Sequence, residues 1–112
     1  KKYGPPKGAL FIAYWNEAPA GCIALQPLKE DGVCEMKRLY VKPSFRKYGI
    51  GRSLVEQLIT ESYQLGYAEM RLDTLERLKP AISLYKTLGF ENTQAYNENP
   101  LSGVVYMEKK IQ

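Results

Sequence analysis

Histidine is absent from the chain, and cysteine occurs only at Cys22 and Cys34, with no CxxC spacing. Without an imidazole there is no Ser-His or Cys-His nucleophile pair. Two cysteines and no histidine also fall short of a zinc ligand set, so no metal is expected. Both thiols lie in apolar stretches and read as buried and reduced, which suits a cytoplasmic protein. Long apolar runs are missing too. None reaches the ~20 residues that a bilayer crossing needs, so no membrane role is expected. No secretory signal pattern is present, and the chain begins at Lys1, which suggests a processed start or a piece of something longer. Clustered positive charge is also lacking. Lys1-Lys2, Lys37-Arg38, Arg46-Lys47 and Lys109-Lys110 are scattered pairs within a net charge of +4. A dedicated nucleic-acid binder shows a basic stripe instead, so no nucleic-acid partner is expected. A mild positive surplus does suit an anionic ligand.

What is present fits one domain spanning residues 1–112, with 45% hydrophobic and 25% charged residues. Tyr3 to Gly8 reads as a loop. Ala9–Trp15 and Ala20–Leu25 read as strands joined by the turn residues Asn16–Pro19. Asp31-Gly32 is a hairpin-turn dipeptide before a third strand, Val33–Val41. In that strand Glu35 and Lys37 share a face with Leu39 and Val41, which want a different environment, so a bulge is predicted. A helix follows from about Gly51 to Leu65, with Ile50, Leu54, Val55, Leu58, Ile59 and Leu65 on one stripe and Gly66 as the stop. Ala68–Asp73 reads as a strand. Pro80 opens a short helix that Gly89 ends. Phe90–Ala95 and Val104–Glu108 read as strands. The fold class is therefore mixed α/β, mostly antiparallel, with one strand–helix–strand crossover.

Arg46-Lys47-Tyr48-Gly49-Ile50-Gly51 lies between the third strand and the first helix. Glycines there allow a tight turn and a close approach of ligand to backbone. The unpaired N–H groups of the first helical turn, the helix dipole, Arg46, Arg52 and the Ser53 hydroxyl would together hold an anion, and a pyrophosphate fits them. The same glycines also suit a plain turn before a core helix. The spacing matches neither the Walker A loop nor the dinucleotide GxGxxG.

The run Glu35–Leu54 resembles motif A of the GNAT superfamily of acetyl-CoA-dependent N-acyltransferases, with its Arg-x-x-Gly-x-Gly core at Arg46–Gly51. Ala81-Ile-Ser-Leu-Tyr-Lys-Thr-Leu-Gly-Phe90 is similar to the family's motif B. The two motifs stand in family order around the strand Met70–Asp73, and the similarity covers about Ala9 to Lys110. The resemblance implies that Leu39, Tyr40 and Val41 pair with the pantetheine arm of acetyl-CoA. It implies that Arg46, Lys47, Tyr48, Gly49, Ile50, Gly51, Arg52 and Ser53 hold the pyrophosphate. It also implies that the family's fourth and fifth strands, here Val33–Val41 and Ala68–Asp73, splay apart to admit the thioester. A full member carries a strand and one or two helices ahead of the strand at Ala9–Trp15, and the expectation is that these are lacking, or that a second copy completes the domain.

Acetyl transfer to an amine needs a neutral amine, a donor to the carbonyl oxygen and an acid for the leaving thiolate. A backbone N–H near Leu39 or Tyr40 suits the carbonyl. The resemblance points Tyr85 at the sulfur, where a phenol protonated at neutral pH can act as acid. Glu35 is the candidate base, directly or through a water. Its other reading is a strand residue paired with Lys37. Asp73 and Thr74 end their strand near the same cleft, as acceptor or cofactor contacts or as a cap. The expected activity is N-acetylation of a primary amine on a small molecule or protein. The alternative is a silent acetyl-CoA-binding module.

Overall fold

The computed structural model describes residues 8–112. The loop expected at Tyr3 to Gly8 lies outside the described residues, apart from Gly8. β1 (Ala9–Trp15) and β2 (Ala18–Pro27) form an antiparallel hairpin. Its tight turn places Asn16 and Glu17 at φ 50° and 70°. Two positive φ values match the twist of the flanking strands, although Glu is an unusual residue there. Gly32, at φ 78°, makes the turn into β3 (Val33–Val41), where the Val33 N–H donates to the Glu30 carbonyl at 3.2 Å.

β3 pairs antiparallel with β2, and the register slips between Cys22 and Ala24, whose partners are Tyr40 and Lys37. β3 thus carries one extra residue, centred on Arg38 at φ 60°. The slip reverses the faces of the strand. Lys37 and Tyr40 share one side, while Leu39 and Val41 join Cys34 and Met36 against the core. This is the predicted bulge, and the conflicting demands of Glu35 and Leu39 explain it.

A short 3-10 turn, Pro43–Phe45, leads to α1 (Ile50–Gln64). Ile50, Leu54, Val55 and Leu58 are buried, with Ile59 and Leu65 packed beside them. Gly66 ends the helix at φ 91°. α1 packs across β1, β2 and β3 and returns the chain to β4 (Glu69–Leu75), which runs parallel to β3. Then come α2 (Lys79–Thr87), β5 (Glu91–Asn92) and β6 (Val104–Lys110). The sheet order is β1-β2-β3-β4-β6-β5. Ile23, Leu58, Met70, Leu72 and Met107 are fully buried where sheet and helices meet. Each such side chain stabilises the fold by about 1.5–3 kcal/mol relative to exposure.

Two features depart from or sharpen the expectation. The strand predicted at Phe90–Ala95 pairs only at Glu91–Asn92, because the chain turns off the sheet after the Thr93 N–H donates to the Tyr106 carbonyl at 2.8 Å. β3 and β4 pair only at Val33↔Glu69, Cys34↔Met70 and Glu35↔Arg71, and beyond that point they diverge.

Candidate active site

The divergence of β3 and β4 opens a cleft of about 320 Å³. Met36, Arg38 and Leu39 of β3 face Leu72, Asp73 and Thr74 of β4 across it, and Tyr85 of α2 lines it as well. The bulge at Arg38 therefore stands at the cleft wall. A non-glycine residue held at positive φ is strained, and such strain collects where backbone groups are aimed at a ligand. Tyr85 is buried, with its ring edge-on to Phe90 at 5.9 Å. The Phe90 N–H donates to the Tyr85 carbonyl at 2.9 Å, which fixes the end of α2. Burial pushes the Tyr85 phenol up to about 12. The phenol thus remains a proton donor throughout the neutral range.

The glycine loop follows β3 and opens α1, with Gly51 close to Val41 of β3 and Leu84 of α2. Gly49 caps α1 at φ 73°, and no side chain caps the helix start. A Cβ on Gly49 would meet no atom within 4 Å, whereas one on Gly51 would lie 3.7 Å from Val41 and 3.9 Å from Leu84. The two glycines therefore have different roles. Gly49 is favoured by its positive φ, whereas a Cβ on Gly51 would sit in ordinary contact between the end of β3 and α2. Arg46 does not extend freely into solvent. Its Nε donates to the Val41 carbonyl at 2.8 Å, and its guanidinium lies over the Tyr40 ring at 5.7 Å. Lys47, Tyr48, Arg52 and Ser53 are exposed. Arg52 pairs with Glu56 at 3.1 Å, one turn along α1. Ile50 is buried and anchors the loop to the core.

Glu35 is 2% exposed and does not line the cleft. It faces a second cavity of about 450 Å³, bounded by Leu28, Arg71, Tyr96 and Asn97 among others. Its Oε1 accepts from Gln26 Nε2 at 2.9 Å, and its Oε2 accepts from the Tyr96 hydroxyl at 2.6 Å. Lys37 Nζ stands 3.4 Å from Oε2 and 3.9 Å from Asp73. A buried carboxylate with these partners satisfies its desolvation cost locally. An amine reaches it directly only by displacing one of them. Burial first, and then the bond to Glu35, hold the Tyr96 phenol far above its ordinary range. Arg71 lies over the Tyr96 ring at 5.7 Å and binds Glu69 at 2.8 Å, which raises its own pKa.

Asp73 does line the cleft, and Asn97 Nδ2 donates to it at 3.1 Å. The Tyr106 hydroxyl bonds Asn97 in turn at 3.0 Å, and the Tyr96 ring meets Tyr106 edge-on at 5.3 Å. The segment between β5 and β6 is thus tied to the sheet at Glu35 and at Asp73, and it contributes Asn99 and Leu101 to the cleft. Sequence reasoning missed Tyr96, Gln26 and Asn97. A tyrosine in a turn-rich stretch carries no period, and a bond to a residue 61 positions away leaves no trace in spacing. Cys34 is buried, and burial pushes its thiol up to about 12, so it is inert at neutral pH. Among the described residues no group of side chains could hold a metal ion, and no helix is long and apolar enough to cross a membrane.

Set beside known proteins, residues 2–90 match the sequence model of the acetyltransferase (GNAT) family. An uncharacterized N-acetyltransferase of Schizosaccharomyces pombe is 48% identical over 99% of this chain and 69% of its own length. One of Dictyostelium discoideum is 46% identical over 71% of this chain, which spans 38% of that protein. Among solved structures, the PaiA N-acetyltransferase of Thermoplasma acidophilum, in complex with coenzyme A, superposes with a TM-score of 0.77 at 25% identity. That match covers 93% of this chain and 61% of the other.

Proposed function

This chain belongs to the acetyltransferase (GNAT) family, and from that premise we propose that it binds acetyl-CoA and transfers the acetyl group to a primary amine. The observation that carries this reading is the early end of β3–β4 pairing at Glu35↔Arg71, which leaves a cleft between a bulged strand and Tyr85. The glycine loop that follows the bulged strand suits the pyrophosphate. The start of α1, capped by no side chain, presents N–H groups and the positive end of the helix dipole, and Gly51 packs beside Val41 and Leu84. The arm of the cofactor then runs beside the backbone of Leu39, Tyr40 and Val41.

The thioester supplies the acetyl group. As the amine nitrogen bonds to the carbonyl carbon, negative charge grows on the carbonyl oxygen, and the bulged backbone near Leu39 and Tyr40 is placed to donate to it. The carbon–sulfur bond breaks, and the buried Tyr85 hydroxyl, which burial keeps protonated through the neutral range, gives a proton to the departing thiolate. The amine must lose its ammonium proton to attack. Asp73 is the carboxylate that lines the cleft, and it draws a cationic amine toward the splayed strands. The ammonium proton passes to solvent before attack. The proton lost on attack passes through a water to Glu35, and the Tyr85 phenolate is reprotonated from solvent. The bond to Tyr96 also ties Glu35 to the segment that carries Asp73's partner Asn97.

The test joins binding to turnover. Wild type should take up acetyl-CoA in a calorimeter, and Arg46→Ala with Gly49→Asp should lose that signal. Unchanged affinity in the double variant refutes the loop assignment. A panel of primary amines, read by thiol release, should then show turnover. Cofactor binding with no thiol release from any amine instead marks a silent acetyl-CoA-binding module.

A further inference from the structure

The glycine loop is loosely held by its own backbone. Between the 3-10 turn and α1, the Arg46 N–H reaches the Pro43 carbonyl at 3.4 Å and the Tyr48 N–H reaches that of Phe45 at 3.4 Å. Both distances exceed the usual range for such bonds. Side chains supply the rest of the hold. Arg46 is tied to the Val41 carbonyl, as above. At the other end of the loop, immediately before the Gly49 cap, Tyr48 stacks on Trp15 with centroids 4.4 Å apart and planes 16° from parallel. Phe45 approaches Tyr48 at 6.5 Å and completes the cluster.

Trp15 is held from the β1–β2 hairpin. It ends β1 directly before Asn16 and Glu17, the two residues at positive φ. The β1–β2 register shifts between Ala13 and Tyr14, where β2 carries one extra residue at Ala20. The Lys42 N–H donates to the Ala20 carbonyl at 2.8 Å, so the base of the loop is tied to the same hairpin. Trp15 and Tyr48 are 39% and 51% exposed. The stack is therefore no part of the core.

We propose that Trp15 is a positioning residue for the cofactor: it holds Tyr48, and through it the Gly49 cap, in the conformation that receives the pyrophosphate. This rests on the reading of the loop as a pyrophosphate site and goes beyond it, because it assigns the β1–β2 hairpin a share in cofactor affinity without contact. Flat rings stacked in parallel offset fashion restrict a loop at little entropic cost. A loop freed from the stack visits other conformations, and its affinity falls by the fraction of time it is competent.

The experiment titrates acetyl-CoA calorimetrically into the full chain and its variants, with thermal melts recorded beside each titration. Trp15→Leu should weaken binding about 5- to 20-fold while leaving the melting temperature within a few degrees, since an exposed contact is lost. Trp15→Phe, which restores a flat ring, should bind within about twofold of wild type. In the Trp15→Leu background, Tyr48→Ala should cost little more, because the two rings act as one unit. Wild-type affinity in Trp15→Leu, or fully additive losses in the pair, overturns the proposal. Gly49→Asp separates the two readings. If it abolishes binding while Trp15→Leu does not alter it, only the positioning role fails. If Gly49→Asp binds as wild type, the pyrophosphate reading fails as well.

Discussion

Tyr96→Phe removes one oxygen and should be felt in both stability and acceptor binding. The lost bond is the 2.6 Å donation to Glu35, a carboxylate 2% exposed. A hydrogen bond to a charged group contributes about 1.5–3 kcal/mol. Tyr96 is only half-buried and Glu35 keeps Gln26 and Lys37, so the lower part of that range applies, about 1–2 kcal/mol. For a domain of this size that is a fall of roughly 4–16 °C in melting temperature. The assay is urea unfolding at neutral pH, which should show a lower midpoint at an unchanged slope. Glu35→Gln and the double variant complete a cycle, and a coupling of at least about 1 kcal/mol is expected between the two sites. A change below about 0.5 kcal/mol, or additive losses, refutes the view that this pair pins the β5–β6 segment. Acetyl-CoA affinity should stay at the wild-type value, because neither residue lines the glycine loop.

Tyr85→Phe keeps the edge contact with Phe90 and should lower thiol release by about 10²-fold or more at unchanged acetyl-CoA affinity, measured with any amine the panel yields. Wild-type turnover removes the acid role. Stability should decline at high pH from the same two phenols. Both folded pKa values lie above the unfolded value of about 10, so the stability is complete below pH 10 and falls as pH rises, the Tyr85 share being lost by about 12 and the Tyr96 share continuing beyond it. Tyr85→Phe should flatten that decline by one proton in an unfolding series over pH. Gly21→Ala should destabilise by about 1–3 kcal/mol, since its Cβ would fall 2.5 Å from the Tyr40 carbonyl beside the bulge. An unchanged urea midpoint would show that the bulge yields freely.

The order of elements was legible in the residues because each carries its own period or its own stop. Leu54, Val55 and Leu58 recur at helical spacing, and Gly66 and Gly89 stand where a helix must end at positive φ. The bulge was legible for a subtler reason, since Glu35 and Leu39 could not share a face of a regular strand. The glycine loop suggests an anion site, with a plain turn before a core helix as its other reading, and Tyr85 enters only through the resemblance of the second motif.

Other features were settled only by the tertiary structure. The strand after Phe90 stops at Asn92 because Tyr96 is drawn over the sheet to Glu35, a pull that local propensity does not encode. In the sequence Glu35 reads either as a base or as a solvated strand residue paired with Lys37. The pairing with Lys37 is present, but the carboxylate is buried under Tyr96 and Gln26, and Asp73 is the carboxylate that lines the cleft. Trp15 and Tyr48 lie far apart in sequence and meet only because a hairpin turn delivers one ring onto the other. By itself the sequence determined the elements, the bulge and the loop, since these follow from periodicity, backbone conformation and residue type within a few positions. The tertiary structure decided which carboxylate faces the cleft and which rings hold the loop, since both depend on contacts between segments that only packing brings together.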